Sequence, residues 1–131
     1  MEELQNFIQS IYLGDRFCEQ FIIDNNKILF QINVISRLKK GTKEWNYYSE
    51  EDIEHGYLVF DEVINFTSSS ELPINDEIYE IEILEKIGEI YTFVIYGCNV
   101  SDENFSTEIE LRIKAKSFYV FNPKDNSIVA E

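Results

Sequence analysis

The sequence predicts an α+β fold that is mainly antiparallel β: a curved sheet or sandwich with a C-terminal meander and an N-terminal amphipathic helix. Three observations lead there. Residues 89–98 carry aromatic and β-branched side chains on both faces and no charge after Glu89, as a strand buried on both sides does. The segments either side, 78–84 and 107–121, alternate apolar with charged residues, the pattern of strands with one wet face. Leu4, Phe7, Ile8 and Ile11 recur at helical spacing ahead of Gly14, a stop signal, which places a helix over residues 2–13. Strands in series after one helix are an α+β pattern. A chain of 131 residues suits a single domain, 1–131, with a core that needs no disulfide or metal staple.

The elements follow in order. Glu2 and Glu3 suit the positive end of the helix dipole. Residues 16–23 and 27–37 read as two strands, the second with Ile28, Phe30, Ile32 and Val34 on one face, joined by a hairpin turn at Asp24, Asn25 and Asn26 because Asn tolerates positive φ. Lys39, Lys40 and Lys43 form the only basic cluster, a loop broken by Gly41. Ser49 to Asp52 matches a capping box, S-x-x-D, opening a short helical turn that ends near His55 and Gly56. Residues 57–67 resume strand character, and their alternation slips around Asp61 and Glu62, as at a bulge. After a polar loop at 68–73 comes the meander, turning at Lys86, Ile87 and Gly88 into the central strand. It returns through 99–106 into Ile109, Leu111, Ile113 and Ala115, facing inward with Tyr119 and Phe121 on the same parity. This last stretch is one long bent strand or two short ones. Pro123 ends it, and 124–131 is a tail.

Eleven basic residues against 25 acidic ones give a net charge of −14. A surface of that sign repels phosphate backbones and anionic membranes, so nucleic acid and membrane are excluded as partners and a basic protein is favoured. Cys18 and Cys98 lie far apart in apolar runs, without metal-ligand spacing, and fit buried free thiols, although one disulfide stays open. Met1, Glu2 and Glu3 do not begin a signal peptide, and no apolar run reaches the length of a membrane span, so the chain reads as cytoplasmic.

Little in the chain resembles a catalytic kit. His55 is the sole histidine, sits between Glu54 and Gly56, and reads as a solvated turn residue. No zinc pattern, calcium loop, P-loop or nucleophile elbow occurs, and no cofactor is expected. Glu80 and Glu82 share one strand face and Glu108 and Glu110 another, as wet sheet faces do. The distinctive composition is acidic and aromatic together: Trp45, Tyr47 and Tyr48, with Tyr57 nearby, beside Glu50, Glu51, Asp52 and Glu54. Rigid aromatics of this kind are enriched at protein-protein hot spots. Trp45, Tyr47, Tyr48, Glu50, Glu51, Asp52 and Glu54 are therefore the candidate partner-binding residues of a non-enzymatic module. Two alternatives remain: a ligand or enzymatic pocket in the curved sheet around Tyr91, Phe93 and Tyr96, and self-association, with the oligomeric state open.

Particular phrases carry a resemblance. Residues 52–60 with Val63, residues 72–78, and residues 115–119 with Asn122 and Pro123 resemble a group of small bacterial proteins of uncharacterised function over most of the chain. Small, acidic, β-rich proteins of this class are similar to immunity proteins, and the resemblance implies a protein that binds and blocks a basic toxin.

Overall fold

The computed structural model describes residues 2–37 and 52–130. Along the chain come α1 (Glu2–Gln9), β1 (Ile11–Tyr12), β2 (Cys18–Asp24), β3 (Lys27–Ile32), β4 (Val34–Arg37), β5 (Ile53–Glu54) and β6 (Tyr57–Ser68). The meander follows as β7 (Ile78–Ile87), β8 (Ile90–Val100) and β9 (Ser106–Asn122), and β10 (Ser127–Val129) is the last element described. Among the described residues, mostly antiparallel β with one short helix is thus the observed class. A seven-stranded sheet runs β2-β3-β6-β9-β8-β7 with β10 on β9, and a three-stranded sheet runs β1-β4-β5.

The helix is shorter than its periodicity predicts. Ser10 ends it by donating its hydroxyl to the Phe7 carbonyl at 2.6 Å. Ile11 stays buried, as the spacing requires, but as a strand residue opposite Arg37. Eight residues are too few to hold a helix in water, so α1 depends on packing. Leu4, Phe7 and Ile8 join the core, Phe7 meets the Phe118 ring at 6.1 Å, and the Gln5 side chain accepts a hydrogen bond from the edge-strand amide of Ile83 at 3.1 Å.

Asn33 divides the predicted strand 27–37. Its side-chain oxygen accepts from the Phe17 amide at 2.9 Å and its carbonyl from the His55 amide at 2.9 Å, which ends the β3 ladder and sends β4 into the small sheet. Inward parity breaks there: Ile28, Phe30 and Ile32 are buried, and beyond them Ile35 is buried in place of Val34. The hairpin is as expected, with Asn25 at φ 54°. Residues 53–54 form β5 against β4 in place of a helical turn, and Ser49 to Glu51 lie outside the described residues.

The strand at the middle of the ladder is β9, paired with β6, β8 and β10, whereas β8 stands next to the edge. Its apolar character on both faces has another cause. Phe93 and Ile95 enter the core, while on the opposite face Val94 is 0 % exposed between its cross-strand neighbours Glu82 and Arg112. The hydrocarbon stems of such long side chains cover apolar surface and keep their charges in water.

β9 is one continuous strand, and its parity changes. Ile109 to Ala115 face inward at odd positions, but Phe118 and Val120 are the buried residues beyond, so Tyr119 and Phe121 face the other way. Opposite this stretch, in β6, Glu62 sits at φ 53°, and the register shifts between Val63 and Asn65, close to the expected slip. Tyr119 consequently donates to Asp61 at 3.0 Å, and burial with this carboxylate pushes its phenol up to about 12. The tail is ordered too, as β10 folds back onto β9.

Gly97 shows how closely the segment before β7 crosses the sheet. A Cβ there would stand 2.9 Å from the Glu77 carbonyl oxygen and 3.0 Å from Ile74 Cδ1. Gly97→Ala is expected to cost about 1–3 kcal/mol, seen as a lower urea midpoint with an unchanged slope.

Candidate functional site

The meander gathers acids and phenols on the outward face of β7, β8 and β9. Register places Tyr96 between Glu80 and Glu110, and Val94 between Glu82 and Arg112, while Glu108 lies opposite Cys98. The sequence shows Glu80 with Glu82, and Glu108 with Glu110, as two separate pairs. Only the pairing of β8 with both neighbours makes them one surface. Tyr79 joins it because the β7 register shifts between Ile78 and Glu80. At 45 % exposure, Tyr79 is available to a partner.

These groups are organised by hydrogen bonds. Tyr96 donates its hydroxyl to Glu82 at 3.0 Å and Tyr79 donates to Glu108 at 3.3 Å. The Tyr96 phenol is held above its ordinary value first by the bond to Glu82, then by desolvation and the negative field of Glu82, Glu110 and Glu80. Tyr79 is raised by its hydrogen bond with the Cys98 thiol, by desolvation and by Glu108. Both phenols therefore remain protonated donors at neutral pH. Arg112 meets Glu110 at 3.3 Å, an exposed pair worth about 0–1 kcal/mol. The result is a negative surface with two oriented tyrosines, suited to cationic side chains.

The residues that the sequence singles out fall elsewhere. Trp45, Tyr47, Tyr48, Glu50 and Glu51 lie outside the described residues. Asp52 and Glu54 belong to the small-sheet end: Asp52 accepts from the Ser36 hydroxyl at 2.9 Å, Ser36 accepts from Arg16 at 3.2 Å, and Glu54 is exposed opposite Val34. His55 is an exposed turn residue, as its neighbours suggest, with a partner the sequence did not show. Its Nδ1 lies 2.6 Å from Glu19 Oε1 of β2.

That bond and the Glu19 charge raise the His55 pKa above 6.5. A raised folded value means that the pair's contribution to stability is fully present below pH 6.5 and is lost as pH rises through the folded pKa. A proton NMR titration should find the His55 midpoint above 6.5, and Glu19→Gln should move it back down.

Tyr91, Phe93 and Tyr96 do not converge on a pocket. Phe93 is 0 % exposed against Phe60 and Phe118, at centroid distances of 5.0 and 6.2 Å, and Tyr96 lies on the opposite face. Cys18 and Cys98 are both buried and free, and burial pushes the Cys18 thiol up to about 12. Among the described residues no three of His, Cys, Asp and Glu gather as a metal site, and no helix is long and apolar enough to cross a membrane.

Comparison with known proteins adds a family. No curated protein and no solved structure matches the chain. The model of a family of unknown function, DUF6258, matches residues 1–129. The chain accordingly belongs to the family of unknown function DUF6258.

Proposed function

We propose that the protein is a non-enzymatic binding module of the cytoplasm that receives a basic protein partner on the outward face of β7, β8 and β9. The observation that carries this reading is the set of Glu80, Glu82, Glu108 and Glu110 around Tyr79 and Tyr96 on one solvent-facing surface. A net charge of −14 supports it, because a field of that sign speeds encounter with a basic surface. Tyrosine is the residue type enriched where binding energy concentrates. Trp45, Tyr47, Tyr48, Glu50, Glu51, Asp52 and Glu54 supply a second acidic and aromatic contact in the same reading.

The finer form of the proposal is a bacterial immunity protein that neutralises a basic toxin, supported by the likeness of small acidic β-rich proteins to that class. A curved sheet suits such a docking surface, and the register shifts in β6 and β7 support the curvature, since an extra residue bends a strand. The test is calorimetric titration with the purified product of the gene next to its own. Saturable binding that weakens with salt is expected, and absence of binding overturns the immunity form.

A further inference from the structure

Where β6 ends and the 68–74 loop begins, the inward face of the sheet is not filled. A cavity of about 240 Å³ lies there. Its deepest walls are Phe30, Ile109 and Leu111, exposed by 0 %, 4 % and 4 %, and its rim includes Phe66 and Leu72, exposed by 40 % and 46 %. Phe21 packs at a tilt against Phe30, with ring centroids 5.2 Å apart, and completes one side.

The loop beside the cavity is tied down at both ends, so the space is formed before any ligand arrives. The Ser69 amide donates to the Glu110 carbonyl at 3.0 Å, and the Ser69 hydroxyl accepts from the Glu110 amide at 2.9 Å. At the far end Asn99 donates its side-chain amide to the Pro73 carbonyl at 2.7 Å. Pre-formed apolar concavity is the usual form of a small-molecule site.

We propose that this cavity binds a small, uncharged, apolar molecule bearing an aromatic ring or a short alkyl chain. Size supports the class: an apolar cavity of about 150 Å³ already stays dry and binds benzene. Polarity narrows it. The polar side chains at its border are Ser68, Ser70 and Glu71, and both seryl oxygens already accept from backbone amides, of Ser70 at 3.3 Å and Leu72 at 3.1 Å. The Glu71 carboxylate at the mouth, in a chain of net charge −14, turns carboxylates and phosphates away. Nothing charged lines the deep walls, so a cation drawn inside would lose its hydration without a counter-ion. A neutral apolar body meets neither obstacle. This site is distinct from the acidic face and does not depend on the proposed partner.

The test uses the full chain and toluene as probe, read by methyl NMR. Toluene is expected to shift the methyl signals of Leu72, Ile74, Ile109 and Leu111 saturably, to leave those of Ile53 and Ile11 in place, and to raise Tm. Leu72→Glu, at an exposed rim position, should keep the ligand-free Tm and weaken toluene by about tenfold or more. Octanol should bind and octanoate should bind more weakly, a comparison that needs no variant. Shifts that never saturate or that spread through the core overturn the proposal. So do equal affinities for octanol and octanoate, or cavity methyls that move only when a basic protein is added, which would assign the cavity to a partner's side chain.

Discussion

Phe60→Ala is expected to remove about 3–5 kcal/mol of stability, a large share of the roughly 5–15 kcal/mol that holds a domain together. Phe60 is 0 % exposed and its ring meets those of Phe118 at 4.9 Å, Phe93 at 5.0 Å and Phe30 at 5.9 Å. Those partners come from β9, β8 and β3, so this one side chain joins both halves of the seven-stranded sheet. Truncation loses the transfer of the ring out of water and leaves a void that three rings in different strands cannot close. Urea denaturation measures it: the midpoint falls steeply, while a slope that stays constant shows that the loss is of stability and not of denatured-state compactness.

What the sequence made legible was local. Alternation marked β3, β7 and β9, the Asn25 turn marked the first hairpin, and consecutive strands of the meander pair as expected. Non-local pairing was not legible. Nothing in residues 57–67 announces that they lie beside β9, and that neighbour makes β9 the middle of the ladder. The strong apolar signal of residues 89–98 points to β8 because Val94 is buried on the face opposite the core, between Glu82 and Arg112 of the neighbouring strands, and composition does not distinguish that burial from burial in a core. The parity of Tyr119 and Phe121 is likewise not written in the alternation of β9 itself, which inverts opposite the positive-φ residue Glu62 of β6.

The candidate surface divides in the same way. Glu80, Glu82, Glu108 and Glu110 were visible as alternating acids, and the tyrosines as strand formers. Their meeting around Tyr96 is a property of register, which no single strand encodes. Signals within one segment led instead to Trp45 through Glu54, where acids and aromatics are neighbours in sequence. Of those seven residues Asp52 and Glu54 are described, and Asp52 is bonded into the Ser36 and Arg16 network of the small-sheet end.

The acidic face is the central claim, and its effect belongs to association kinetics. Glu80→Lys with Glu110→Lys reverses two carboxylates beside Tyr96 without touching the acceptors of either tyrosine, Glu82 and Glu108. Glu80 is exposed and Glu110 gives up its ion pair with Arg112, so stability should fall by no more than about 1 kcal/mol. Electrostatic steering contributes about 10–10³-fold to on-rates and falls steeply with ionic strength. The most direct measurement is therefore the on-rate with the basic partner across a salt series, for the unaltered protein and the double variant. The account predicts that the variant associates about tenfold or more slowly at low salt, with the two rates converging as salt rises; equal rates at low salt would contradict it.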